Sequence, residues 1–204
     1  MDVQTVWQCG RLDTRVSTDG GETWQSTDFS AGIHCVISFA DADTGWVFGS
    51  SGTWSTTDGG QNWNEVTLPE AVDDVTAISL RTLDEGYLLT PNLALYVTHD
   101  GGESWSTMAL PLDAYEGMTL PPANLATAAV RFFDAENGVV ILSLVGGGES
   151  KLVALRTANG GQSWEEEIVP VKPGVLYLTR DGRYLTTRSL LGAGEVAVVE
   201  YQSQ

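Results

Sequence analysis

The octet Ser17-Thr18-Asp19-Gly20-Gly21-Glu22-Thr23-Trp24 constrains this chain more than any other feature, because the chain repeats it. It returns as Thr56-Thr57-Asp58-Gly59-Gly60-Gln61-Asn62-Trp63 and as Thr98-His99-Asp100-Gly101-Gly102-Glu103-Ser104-Trp105. A further copy, Thr157-Ala158-Asn159-Gly160-Gly161-Gln162-Ser163-Trp164, places Asn159 where the others have Asp. A worn version, Thr179-Arg180-Asp181-Gly182, lacks the later Gly and Trp. The pattern Ser/Thr-x-Asp-x-Gly-x-x-Trp reads as a tight turn between antiparallel strands. A carboxylate at its third position accepts hydrogen bonds from nearby backbone N–H groups, as Asx turns do. The glycine pair supplies positive φ, and the closing Trp folds over the turn as an apolar lid. One catalytic or metal site does not need four copies, so Asp19, Asp58, Asp100 and Asn159, with Trp24, Trp63, Trp105 and Trp164, read as structural.

These octets resemble Asp-box repeats, also called bacterial neuraminidase repeats, found in sialidases, sortilin-type receptors and photosystem II stability factor-like proteins. The longer unit Phe39-Ala40-Asp41-Ala42-Asp43-Thr44-Gly45-Trp46-Val47-Phe48-Gly49, followed by a box, is most similar to the photosystem-factor-like group. The resemblance implies an all-β fold, a β-propeller, and constrains function much less.

A repeat of this kind argues for a single domain over residues 1–204. Trp7 and Gly10 align with Trp46 and Gly49 at the same offset of 39 that separates Trp24 from Trp63. The chain therefore enters blade one at its second strand, with the innermost strand missing. Blade two reads as strands near Cys35–Ala40, Trp46–Gly49, Thr53–Thr57 and after Trp63. Blade three reads as Val75–Leu80, Tyr87–Thr90, Leu93–Thr98 and the run after Trp105. Blade four runs through Thr127–Phe133, Val139–Leu144, Lys151–Thr157 and Trp164–Val169, short β-branched and aromatic runs between turn signals. Leu176-Tyr177-Leu178-Thr179-Arg180-Asp181 echoes Leu95-Tyr96-Val97-Thr98-His99-Asp100 and reads as a third strand entering the worn box. Val196–Tyr201 reads as an innermost strand. Pairing of that strand with blade one would close a ring of about five four-stranded blades; a fragment of a larger propeller is the alternative.

Ten basic against 27 acidic residues give a net charge of −17, which disfavours nucleic acid and anionic lipid as partners. No apolar run is long enough for direct membrane insertion. No charged-then-apolar leader precedes the first repeat, so a signal or anchor is expected to lie outside this sequence. Cys9 and Cys35 fit no metal spacing; a disulfide between the first two blades and a pair of buried thiols both remain open. Asp41-Ala42-Asp43-Thr44-Gly45 lacks the later glutamate of a calcium loop and rhymes with the turns ending at Gly86 and Gly138, so it reads as a turn. No cofactor or metal is expected.

In up-and-down blades the boxes and the first-to-second-strand turns share one face, and the variable connections form the other. From box Trp to the next hairpin Gly is 21 residues (24 to 45), then 23 (63 to 86), then 33 (105 to 138). From hairpin Gly to box Trp is 18, then 19, then 26 (138 to 164). Blade four thus carries two insertions on the face opposite the boxes: Leu110–Ala126, with Asp113, Tyr115, Glu116 and Met118, and Val145–Lys151, with Glu149 and Lys151. Insertion into loops is thermodynamically cheap, yet loops on a rigid scaffold are where binding concentrates. The two are expected to meet, with Tyr115 near the second insertion, forming a site for a protein or glycan. The whole reads as a non-catalytic binding or assembly module, extracellular or at a cell-surface or periplasmic location.

A sialidase-like glycoside hydrolase is the competing class. That resemblance would require an Arg-Ile-Pro start, an arginine trio and a Tyr–Glu nucleophile pair. No Arg-Ile-Pro occurs, Arg156 and Arg180 lie on approaches to boxes, and no motif assigns the adjacent Tyr115 and Glu116 a catalytic role. Nucleophile elbows, phosphate loops and zinc motifs are likewise missing from the sequence.

Overall fold

The computed structural model describes residues 5–10, 13–33, 35–121, 127–167, 174–178, 184–189 and 196–200; within the last three segments only the side chain of Leu176 is described. The described residues form antiparallel meanders, each a small sheet in which sequential strands pair side by side.

Blade one contains β1 (Val6–Cys9), β2 (Thr14–Ser17) and β3 (Gln25–Ser26). Blade two contains β4 (Val36–Phe39), β5 (Gly45–Gly49), β6 (Gly52–Thr56) and β7 (Asn64–Glu65). Blade three contains β8 (Ala77–Leu80), β9 (Gly86–Leu89), β10 (Leu95–Thr98) and β11 (Ser106–Met108). Blade four contains β12 (Ala128–Phe132), β13 (Asn137–Gly146), β14 (Glu149–Ala158) and β15 (Glu165–Glu167). Beyond it, β16 (Gly174–Leu178), β17 (Tyr184–Ser189) and β18 (Val196–Glu200) form a further sheet.

These sheets are propeller blades. β4, β8 and β12 lie against one another as successive inner strands. Two buried hydrogen bonds stitch them: the Leu80 N–H donates to Ser38 Oγ (2.9 Å), and the Phe132 N–H to Ser79 Oγ (3.3 Å). In blade one β1 takes the place that the second strand holds in blade two, in line with the 39-residue alignment: Trp7 pairs with Val16 as Trp46 pairs with Ser55.

The tail departs from expectation. β16 lies against β12 and β13, and Leu176 is buried on Val139, Ile141 and Ala154. That makes β16 a first strand, where the sequence echo indicated a third. Likewise β18 pairs with β17 as the third strand of its own sheet and is not an innermost strand. The worn box at Thr179–Gly182, and residues 168 and 169 of the expected strand Trp164–Val169, lie outside the described residues.

The core lies between blades. Strand alternation sends one face of each sheet to its predecessor and the other to its successor. Leu142, Leu144 and Val140 of β13, fully buried, join Leu89, Leu95 and Tyr87 of blade three in one cluster. Phe48 and Leu88 anchor another between blades two and three. Aromatic rings tie the layers. Trp7 stacks on Phe39 (centroids 4.3 Å, planes 7° apart), and Tyr87 stacks on Phe132 (3.7 Å, 2°). The box tryptophans then close edge-on, Trp63 to Phe39 at 6.3 Å and Trp164 to Phe132 at 6.1 Å.

Candidate functional site

The boxes form one rim. In each, the hydroxyl at the first position accepts the N–H of the second glycine: Gly21 to Ser17 (2.8 Å), Gly60 to Thr56 (2.9 Å), Gly102 to Thr98 (3.0 Å) and Gly161 to Thr157 (2.8 Å). The same hydroxyl donates to the third-position side chain, Asp19 at 2.7 Å and Asp58 at 2.9 Å. The first box glycine binds the inner hairpin of its own blade, with Gly59 N–H to Asp43 O (2.9 Å), Gly101 to Asp84 O (2.8 Å) and Gly160 to Glu136 O (2.8 Å). Box turns and inner hairpin turns therefore share one face, as the topology required.

Position seven of the octet, which the sequence pattern left blank, is part of the turn. Its N–H and its side chain both donate to the Asp: Thr23 to Asp19, Asn62 to Asp58, Ser104 to Asp100. The signal was present, since Thr, Asn, Ser and Ser all carry a donor. The fourth box shows why Asn159 is tolerated. Its Oδ1 accepts the Ser163 N–H (2.9 Å), while its Nδ2 donates to Ser163 Oγ (2.8 Å), so the hydroxyl simply reverses its role.

These donors hold the carboxylates ionised. The Ser104 hydroxyl, then its N–H, pull Asp100 down from 3.8 to about 2. Thr23 lowers Asp19 further in the same way, and the Asn62 side chain and N–H lower Asp58. A folded value below the unfolded one gives stability that is full above the ordinary carboxylate range and lost as pH falls through it. The triple variant Asp19→Asn, Asp58→Asn, Asp100→Asn copies the fourth box and should flatten the fall in Tm between about pH 4 and about pH 2. An acid limb as steep as the parent's would show that other carboxylates dominate it.

The opposite face carries the insertions, and the structure brings them together. The second is not a loop. β13 and β14 pair without interruption from Asn137–Ala158 to Gly146–Glu149, closed by Gly147 (φ 59°) and Gly148 (φ 82°). Two successive positive φ values make the twisted two-residue turn that suits a hairpin. The first insertion includes a 3-10 turn, Asp113–Tyr115, then runs beside β13: Thr119 and Val145 exchange both backbone hydrogen bonds, at 2.9 and 2.8 Å. Residues 122–126 of that insertion lie outside the described residues. A Cβ on Gly146 would stand 2.8 Å from the Gly117 carbonyl oxygen, so this approach requires glycine. Leu110, Leu112, Met118 and Leu120 pin the insertion to the core of blades three and four.

Tyr115 packs against that core, and Lys151 Nζ sits 5.9 Å above its ring. The Lys151 ammonium is 3.6 Å from Glu149. Glu166 on β15, unmarked in the sequence, accepts the Tyr115 hydroxyl. Only the folded blade brings a residue 51 positions away to the ring. Burial, reinforced by the Glu166 carboxylate, pushes Tyr115 up to about 12, so its hydroxyl is a donor at neutral pH. Asp113 and Glu116 are exposed beside it and Glu149 is exposed at the hairpin end. Glu166 and Glu167 continue the acidic surface, with Arg156 paired to Glu167 at 3.4 Å. Among the described residues no cluster of His, Cys, Asp and Glu is arranged to hold a metal ion, and no helix is long and apolar enough to cross a membrane.

Fold and boxes together define an Asp-box β-propeller protein. A family model described as Photosynthesis system II assembly factor YCF48 matches residues 23–115, and a BNR/Asp-box repeat model matches residues 15–26. Among solved structures, the chain is similar to YCF48 bound to D1 peptide, at 24% identity and a TM-score of 0.53, covering 79% of this chain and 52% of that one. It is also similar to the GH74 enzyme of Niastella koreensis, at 13% identity and a TM-score of 0.63, covering 98% of this chain and 34% of that one. An ancestral GH74 enzyme follows at 18% identity and 0.53, covering 91% and 26%. The chain thus spans about half the length of the first and about a quarter and a third of the two GH74 chains. At these identities the likeness establishes the fold. No curated protein sequence matches.

Proposed function

We propose that this chain is a non-catalytic protein-binding module whose site is the face formed by the two blade-four insertions. The observation that carries the reading is the Thr119–Val145 pairing, which fuses two separate insertions into one surface holding Tyr115 and Lys151. Rigid aromatic anchors with a polar tip suit protein recognition. The structural relative bound to D1 peptide supports a protein partner over a glycan. Asp113, Glu116 and Glu149 favour a polar or cationic segment. The Cys9–Cys35 disulfide described below fits an extracellular, cell-surface or periplasmic setting.

A Tyr–Glu contact also occurs in glycosidases that use tyrosine as nucleophile. Here Tyr115 on Glu166 and Tyr87 on Glu85 both have raised pKa values, chiefly through burial, which works against phenolate formation. This supports the non-catalytic reading.

The test is to shorten both insertions to blade-three length and compare parent and variant in crosslinking pull-downs from surface extract, with soluble glycan as competitor. Loss of a partner from a variant with parental circular dichroism is expected. Retention of every partner would place the function elsewhere, and competition by glycan would replace the protein reading.

A further inference from the structure

Blade one is built like its neighbours but attached differently. The apolar clusters among the described residues draw on the later sheets and take no residue from blade one. Its fully buried positions on β2 are Thr14 and Ser17, and β1 alternates exposed and half-buried residues where β5 is buried throughout. Apart from hydrogen bonds between Ala31 and Ile33, on the segment leaving the blade, and Ser50 and Ser51 of blade two, what joins it to blade two is aromatic and covalent. Trp7 stacks on Phe39, Phe29 stacks on Trp63 (4.6 Å, 15°), and Cys9 at the end of β1 is disulfide-bonded to Cys35 just before β4, with Cα atoms 6.0 Å apart. Sequence left this pairing open because it depends on blade contact.

We infer that Cys9–Cys35 is a thiol–disulfide exchange site that latches blade one onto the propeller, and that a dithiol reductant releases the blade while blades two to four stay folded. Both half-cystines are only half-buried, so a thiolate can approach. The reagent thiolate attacks one sulfur, forming a mixed disulfide and expelling the other cysteine as thiolate. The reagent's second thiol then displaces the remaining cysteine. The dithiol leaves as a disulfide, and the protein takes up two electrons and two protons. The bond links cysteines 26 positions apart, so its loss returns conformational entropy to the undocked blade. The aromatic contacts and the few hydrogen bonds of the segment at Ala31 and Ile33 must then hold the blade, with no residue of it in the apolar clusters. A low-stability unit of this kind opens separately from the rest.

The experiment is hydrogen exchange on the full chain, oxidised, treated with dithiothreitol, and as the Cys9→Ser/Cys35→Ser variant. Reduction should speed exchange at the Gly21 and Thr23 amides and across β2 by on the order of tenfold or more. Amides in β9, β10, β13 and β14 should keep their protection. Unchanged protection in blade one would make the cystine idle. Equal loss in all blades would make it a global staple. Resistance of the native disulfide to dithiothreitol, with reduction only in denaturant, would rule out exchange. Any of the three overturns the inference.

Discussion

Replacing Phe132 by alanine should lower stability by about 3–5 kcal/mol, among the largest effects of any single truncation in this chain. The ring is 2% exposed and lies between a parallel partner and a perpendicular one, Tyr87 at 3.7 Å and Trp164 at 6.1 Å. Neither neighbour can readily fill the space. Tyr87 is held by its hydroxyl bond to Glu85, which Arg81 holds in turn. Trp164 is fixed by its place in the fourth box. Gly138 beneath the ring contributes only backbone. The loss therefore combines transfer, cavity and aromatic-contact terms. In repeat architectures such a loss acts on one interface, here between blades three and four. Urea unfolding reads it as a shift in midpoint. A change below about 1 kcal/mol would show that the stack is not what joins these blades.

The sequence was most informative where the chain repeats itself. Four copies of one octet with fixed Trp spacing identified the turns, and the inner hairpins rhymed around Gly45, Gly86 and Gly138. Why those glycines rhyme was not legible. A Cβ at Gly86 would stand 2.6 Å from Trp46 of the preceding blade, a contact that exists only between packed sheets. The tail was misread for a related reason. Leu176-Tyr177-Leu178 looks like any short apolar strand before a turn, and whether such a strand is first or third depends on which sheet lies behind it. Spacing located the insertions and their face, but not the Tyr115–Glu166 bond or the leucines beneath the first insertion. Those depend on approach between segments far apart in sequence. The insertion at Val145–Lys151 reads as a loop from spacing alone, although Gly147-Gly148 is a hairpin-turn signal and β13 and β14 run ten residues each up to it.

The glycine under the second aromatic stack allows a sharper test. Gly45→Ala should destabilise the protein by about 1–3 kcal/mol although it adds a single methyl group and improves intrinsic strand propensity. The added Cβ would lie 2.5–2.6 Å from the Phe39 ring, well inside contact distance. Phe39 is 8% exposed and cannot move away, because Trp7 stacks on its other face at 4.3 Å and Trp63 meets its edge. The backbone cannot yield cheaply either, since Gly45 pairs with Phe39 on one side and Thr56 on the other. Thr56 is the first residue of the second box, so strain at Gly45 bears on the turn that holds Asp58. If the ring is what excludes the methyl, the effect must vanish when the ring shrinks. In a Phe39→Leu background, Gly45→Ala should be nearly neutral or stabilising, giving a coupling on the order of 1–2 kcal/mol. The four proteins of this cycle, unfolded in urea under one condition, decide the matter. Additive losses would mean that glycine is required at position 45 for its backbone and not for the aromatic ring above it.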